Sequence, residues 1–322
     1  MRSNENDGSA ERLARTTTIK VFGRELTVKN YDCAMNGGEY REKPRPIRLQ
    51  LFITPTYFCP GNCAFCVAHA SRRSRGFLDI EKLRRVLQEM KDADMLRTIS
   101  ITGGEPLYDM ELLDEIIELI FEVCGLQTDI SINTSGYGLD RIDRIRNLAF
   151  LHAIHISRHH YDDEKNQAYF GMNVPAGAQI AQMMDIVKDP KLFLFNCLLL
   201  KDGIGTKEEM IRFLEFAGSI GMPKAGFITP MPVNDYVRAN RVSYAELLDR
   251  KDHRVLFTTG YCDHEYCHCQ DGVYVTREGK LVEWYGRETV YGGAAYVRGF
   301  VYGADNILRD GFAADANVLF RP

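Results

Sequence analysis

No run of apolar residues in this chain comes near the ~20 needed to cross a bilayer. The longest, Leu192 to Leu200, is interrupted by Asn196 and reads as a buried strand. The N-terminus lacks the basic-then-apolar order of a secretory signal, so no membrane partner is expected. Positive charge is not in excess either: 40 Lys and Arg stand against 44 Asp and Glu, a formal net charge of -4. Phosphate neutralisation needs a basic surface, which argues against nucleic acid as the main partner. Internal repeats and low-complexity segments are lacking. The nine cysteines are odd in number and clustered rather than spread as a disulfide framework. That usage suits a reducing cytoplasm and metal ligation.

What is present is an ordinary globular composition, 45% hydrophobic and 26% charged over 322 residues, enough for one large or two smaller domains. Residues 1–16 are polar and read as a mobile tail. Residues 17–46 hold a small hairpin, Thr18 to Val28 around Gly23-Arg24, and then a loop. From Ile47 strands and amphipathic helices alternate, the pattern of a parallel sheet with crossover helices. The strands are Ile47 to Thr54, Thr98 to Thr102, Thr128 to Asn133, His152 to Ser157, Leu192 to Leu200 and Lys224 to Pro230. Helices are expected at Ala64 to Ser71 (weakly), Asp79 to Met90, Glu111 to Val123, Asp140 to Leu148, Ala176 to Val187 and Thr206 to Ile220. Thr206 and Glu209 make a capping box for the last. After Pro232 the alternation stops. Val242 to Asp249 reads as a helix, and Val273 to Trp284 as a hairpin.

The chemistry concentrates in Cys59-Pro-Gly-Asn-Cys63-Ala-Phe65-Cys66. Turn formers separate the first two cysteines, so a short loop can bend three sulfurs toward one point. Three thiolates on a cubane [4Fe–4S] cluster leave one iron open. A zinc site or a set of buried free thiols is the competing reading, but zinc usually shows a second ligand pair. One strand later stands Thr102-Gly103-Gly104-Glu105-Pro106, where bare glycine backbone admits a ligand and a carboxylate can accept from an ammonium.

Together these motifs resemble the radical S-adenosylmethionine (SAM) superfamily, whose signature is C-x3-C-x-aromatic-C followed by GGE. The resemblance covers residues 47 to 285 and is specific for reaction initiation, not for substrate. It implies an α/β fold, a partial (β/α)6 TIM barrel over 47–240. It implies that Cys59, Cys63 and Cys66 hold a catalytic [4Fe–4S] cluster, with SAM on its open iron. It also implies cleavage of SAM to a 5′-deoxyadenosyl radical, fed by a flavodoxin- or ferredoxin-type electron donor. Phe65, Gly103, Gly104, Glu105, Asn133, Ser135, Ser157, Arg158 and Asn196 become candidate SAM-binding residues, most of them at strand C-termini, where parallel α/β folds bind ligands. His159 to Asp163 are candidates for facing the substrate.

Cys262, Cys267 and Cys269 form a second set, C-x4-C-x-C, with His264 and His268 interleaved. With the hairpin that follows, they resemble the Twitch/SPASM-type module of residues 241–322 and an auxiliary [4Fe–4S] cluster; zinc is the alternative. Thr276-Arg-Glu-Gly279-Lys280 resembles the hairpin of the GTP 3′,8-cyclase group. A cysteine expected after that hairpin is replaced near Glu283-Trp284, and a Gly-Gly tail is lacking. The reading is therefore a radical SAM enzyme for a small polar metabolite, such as a sugar, aminoglycoside or nucleotide, with a peptide-modifying maturase as the alternative. Fewer than 60 residues precede the cysteine loop, too few for a leader-peptide-binding domain. Cys124, Cys197 or a thiol of the second set could donate hydrogen to a substrate radical.

Overall fold

A computed structural model describes residues 16–29, 49–247, 257–261, 270–287, 297, 299–313 and 315–322. The first two strands, β1 (Thr16–Val21) and β2 (Arg24–Lys29), form the expected antiparallel hairpin. The rest is built on one sheet. Its centre is β3 (Leu49–Ile53), β4 (Leu96–Ile101), β5 (Asp129–Thr134), β6 (Leu151–Ser157), β7 (Phe193–Leu198) and β8 (Lys224–Ile228), in that order and all parallel. These are the six strands read from the alternation, each within a few residues of its expected ends.

The sheet continues on both sides with residues beyond 240. On one edge β11 (Leu281–Arg287) runs parallel to β8, and the antiparallel strands β10 (Gln270–Val275) and β9 (Phe257–Tyr261) follow. On the other, β12 (Gly299–Tyr302) runs parallel to β3, followed by the antiparallel β13 (Leu308–Arg309) and β14 (Val318–Phe320). The sheet is mixed and mostly parallel, with β14 and β9 at its edges. Parallel pairing of β11 and β12 is long-range and leaves no local sequence pattern.

The helices follow their apolar periodicity. α1 (Ile80–Asp92) is capped by Asp79, whose carboxylate accepts from the Lys82 amide, and buries Leu83, Val86, Leu87 and Met90. Each such side chain contributes about 1.5–3 kcal/mol. α2 (Met110–Cys124) is capped by Asp109 and buries Ile116, Ile117 and Ile120. α3 (Asp163–Phe170), α4 (Gly177–Val187) and α5 (Lys207–Ser219) precede two short helices, α6 (Asp235–Asn240) and α7 (Tyr244–Leu247). Thr206 Oγ1 accepts from the Glu209 amide at 3.2 Å, as the capping pattern required. Two expectations fail. Ala64 to Ser71 forms turns, because its backbone is spent on the cysteine loop. Asp140 to Leu148 is a 3-10 segment, Leu139–Arg144, too short for α-helical periodicity. Among the described residues no helix is long and apolar enough to cross a membrane.

Parallel strands covered on both faces read as unbroken apolar runs. Here they alternate. Ile99, Ile101, Ile130, Ile132, Ile154, Ile156, Phe195, Cys197 and Phe227 lie in the hydrophobic core. Ser100, Ser131, Asn133, His155, Ser157 and Asn196 occupy the opposite face, since successive residues of a strand alternate in direction. One face of the sheet is thus given to polar side chains.

Candidate functional site

The cysteine loop leaves β3 and is fixed by Ser71, by Phe170 and by a turn of its own. The Cys59 amide donates to Ser71 O at 3.2 Å, the Asn62 amide to Phe170 O at 2.8 Å, and the Cys66 amide to Cys63 O at 3.2 Å. Arg72 ties it further, donating to Pro60 O at 2.5 Å and to Gly171 O at 3.2 Å. All three thiols are half-buried. Burial pushes the Cys59 thiol up to about 11. The Cys63 thiol is pushed up as well, first by burial and then by Cys66 and Cys59. A bound cation would reverse that shift, because metal ligation deprotonates a thiol outright. Phe65 lies edge-on to His159, with ring centroids 4.7 Å apart. A cavity of about 450 Å³ opens beside it, walled by Asn62, Ala64, Tyr169, Asp202 and Tyr236 among others.

Gly103 and Gly104 serve this loop directly. Gly104 N–H donates to Thr56 O and Glu105 N–H to Phe58 O, both at 2.9 Å. A Cβ on Gly104 would stand 2.1 Å from Phe58 O, and one on Gly103 2.2 Å from the Thr54 methyl. Gly103 also holds φ +110, a conformation open to glycine. The glycine pair therefore lets the end of β4 zip onto the segment that leads to Cys59.

Glu105 is 1% exposed. One carboxylate oxygen accepts from Thr134 Oγ1 at 2.6 Å and the Leu107 amide at 3.1 Å. The other accepts from the Ser135 amide at 3.0 Å and Ser135 Oγ at 2.5 Å. Burial raises its pKa, and these donors pull it back. Both oxygens are thus occupied by the protein, and the side chain joins the ends of β4 and β5.

Asn133 and Asn196 meet inside the sheet's polar face. Ser131 Oγ and Asn133 Nδ2 donate to Ser100 Oγ at 3.2 and 2.5 Å. Asn196 Nδ2 donates to Asn133 Oδ1 at 3.2 Å and contacts His155 Nδ1 at 3.0 Å. Tyr285 Oη donates to Asn196 Oδ1. Asn196, Gly226 and Tyr285 are register partners across β7, β8 and β11. A Cβ on Gly226 would fall 2.1 Å from the Tyr285 ring, so only glycine lets the ring lie across β8. Ser157 and Asp271 extend the same row.

Arg158 is 1% exposed. It donates to Asp163 at 2.5 Å and to Tyr161 O at 3.2 Å, with its guanidinium 4.4 Å over Phe216. His159 and His160 are buried, and their amides donate to Asn166 Oδ1 at 2.8 and 3.3 Å. Asp162 caps α3. The polar run after β6 is thereby folded into local bonds. Cys197 lies in the core, on the face opposite Asn196, and Cys124 is half-buried at the end of α2. Cys262, Cys267 and Cys269 lie outside the described residues. His155, Tyr285, Lys224 and Arg287 were not singled out from sequence. The one available signal was Gly226 inside a strand, which marks a close approach.

Residues 53–238 match the family described as the Radical SAM superfamily. The chain belongs to that superfamily. Among curated relatives, the Probable GTP 3′,8-cyclase of Sulfolobus acidocaldarius is 27% identical over 185 residues, 57% of this chain and 56% of that protein. The Probable GTP 3′,8-cyclase of Thermoplasma volcanium is 30% identical over 127 residues, 39% of this chain and 36% of that protein. The matches thus span little more than half of one relative and about a third of the other. A solved structure, Streptococcus suis SuiB bound to precursor peptide SuiA, is 18% identical with a TM-score of 0.48, covering 62% of this chain and 44% of that one. The loop carries three half-buried cysteines at the superfamily's spacing on a braced turn, with the glycine pair packed against the segment that leads to it.

Proposed function

We propose that this radical SAM protein binds a [4Fe–4S] cluster through Cys59, Cys63 and Cys66 and acts on a small polar metabolite. Epimerisation, dehydrogenation and rearrangement are the reactions in view. Bound there together, cluster and SAM would supply radical chemistry able to act on an unactivated C–H bond. The chain's own part is holding and shielding. The bonds from Phe170, Gly171 and Ser71 keep the three thiols on one loop. Gly103 and Gly104 seat the neighbouring backbone against it. Cys262, Cys267 and Cys269 are proposed to hold an auxiliary cluster; the residues flanking them, Tyr261 and Gln270, pair across β9 and β10.

One observation carries the substrate reading. The face of the sheet away from the core is lined by Ser100, Ser131, Asn133, His155, Asn196 and Tyr285, joined in one hydrogen-bonded row. Such a lining suits a hydroxylated molecule, because a polar ligand that leaves water needs polar groups facing it. We place the protein in the cytoplasm with a flavodoxin- or ferredoxin-type donor. The test is anaerobic incubation with SAM, a reductant and a panel of hydroxylated metabolites. The expected result is 5′-deoxyadenosine formation stimulated by one chemical class. Tight binding of a leader peptide, with no stimulation by any metabolite, would replace this reading with a peptide maturase.

A further inference from the structure

Residues 54–78 hold the cysteine loop and contain no Asp or Glu, in a chain where those two make up 44 of 322 residues. They do contain Arg72, Arg73 and Arg75, all exposed. The fold lays this arginine turn against the approach to the cysteines. Thr56 bridges Phe77, Phe58 bridges Ser71, and the Ser71 amide donates to Tyr57 O at 3.1 Å. Arg72 reaches the loop itself through Pro60 O. Arg75 Nη1 donates to Arg72 O at 2.9 Å and to Ser74 O at 3.0 Å, and its Cζ lies 6.0 Å from the Phe58 ring centroid. That ring stands one residue before Cys59. It packs on the Tyr108 ring, with centroids 4.1 Å apart, and Tyr108 is 40% exposed.

The three guanidiniums are available. Among the described residues no carboxylate pairs with any of them. Arg72 and Arg75 bond to backbone carbonyls, which leave the charge in place. The nearby carboxylates are engaged elsewhere: Asp79 caps α1, Asp109 caps α2, and Asp305 pairs with Arg309 at 2.6 Å. A cationic and aromatic patch thus adjoins the cysteine loop on a chain of net charge -4. Arg, Tyr and Phe are the residue types that anchor protein interfaces. Electron-transfer encounters need only a small one, below about 1,200 Å² in total.

We infer that this patch is the docking surface for an acidic electron-carrier protein. Arg72, Arg73 and Arg75 meet its carboxylates, and Tyr108 with Phe58 supplies the apolar contact. The inference deepens the radical SAM reading and rests on it, since that reading requires a one-electron donor. The carrier gives one electron to the cluster and is itself oxidised by one, and no atom moves between them. Opposite charge speeds such an encounter and fixes its orientation, and it makes the association fall with salt.

The test is titration of the reconstituted protein with two probes, an acidic flavodoxin and an acidic [2Fe–2S] ferredoxin, each dye-labelled and followed by fluorescence anisotropy at low and high salt. Wild type should bind at least one of them, more weakly as salt rises. Arg73→Glu/Arg75→Glu should weaken that binding by about tenfold or more. Arg72 is kept, because it braces the loop. Tyr108→Ala should weaken binding with the salt dependence retained. Lys191→Glu changes an exposed cation at the opposite end of the sheet, just before β7, and should bind as wild type. Iron content and thermal unfolding of all variants should match wild type. Binding of neither carrier, or binding undiminished in the double variant, would overturn the docking surface. So would capture of an RNA oligonucleotide in place of both carriers. SAM cleavage is measured on the same preparations with dithionite, a small reductant that needs no docking. Wild type that binds a carrier through the patch but makes no 5′-deoxyadenosine with dithionite refutes the radical reading alone. Cleavage with dithionite and no carrier binding refutes the docking surface alone.

Discussion

Replacing Gly104 by Ala tests whether the glycine pair exists for the cysteine loop. The added Cβ would lie 2.1 Å from Phe58 O and 2.6 Å from Thr56 O. Both atoms are backbone carbonyls, so no side chain can swing aside. They are also the acceptors for Glu105 N–H and Gly104 N–H. Making room means parting the two segments and losing both bonds. Two buried amides left without partners cost about 1–3 kcal/mol each, and overpacking adds about 1–3 kcal/mol. Some relaxation is certain, so a net loss of roughly 3–5 kcal/mol is expected. Gly221→Ala is the control: its φ is +77 and a Cβ there meets nothing within 4 Å. It should cost only the left-handed penalty, about 1–2 kcal/mol. Urea unfolding of the cluster-free proteins gives both values, and anaerobic reconstitution gives iron content. Gly104→Ala should also load much less iron. A Gly104→Ala protein no less stable than Gly221→Ala, with normal iron, would refute the packing argument.

Three further outcomes follow from the same geometry. Glu105→Gln puts an amide N–H against donors from Thr134, Ser135 or Leu107 and should cost about 2–3 kcal/mol without SAM present; unchanged thermal stability with weakened SAM binding would show that the carboxylate serves the ligand instead. Gly226→Ala should displace Tyr285 and cost about 1–3 kcal/mol, and Tyr285→Ala should relieve most of that in a double-mutant cycle, while additive losses would mean that the close approach carries no weight. The pH dependence of stability should reveal His155, whose folded pKa of about 4 lies below its ordinary 6.5. In that window the unfolded chain binds the extra proton, so stability is full above pH 6.5 and falls by about 1.4 kcal/mol per pH unit down to pH 4. His155→Gln should flatten that slope by one proton, and an unaltered slope would contradict the burial argument.

The six central strands were legible because each is a short stretch of recurring apolar residues bounded by turn residues, and α1, α2 and α5 because their buried positions recur at helical spacing. α3 was not: its eight residues, Asp163–Phe170, bury just Asn166 and Phe170, so no apolar stripe announces it. The cysteine and glycine motifs were legible because their spacing is local. Their physical division of labour was not. Glu105 looked like a ligand group, and its four protein donors come from Leu107 and from Thr134 and Ser135 at the end of β5, some thirty positions away. Arg158 and the His159–Asp163 run looked available, but Asp163, Asn166 and the Phe216 ring engage them. Tyr285 reaches Asn196 over a separation of 89 residues, a pairing that only the parallel docking of β11 on β8 creates.

The most direct measurement is 5′-deoxyadenosine formation, with iron and sulfide content, for anaerobically reconstituted wild type and the Cys59→Ala/Cys63→Ala/Cys66→Ala variant. The account predicts SAM cleavage in wild type and none in the variant, with a loss of about four irons. If the second cysteine set holds its own cluster, wild type carries about eight irons and the variant keeps about four. A variant that still makes 5′-deoxyadenosine after reconstitution would contradict the central claim.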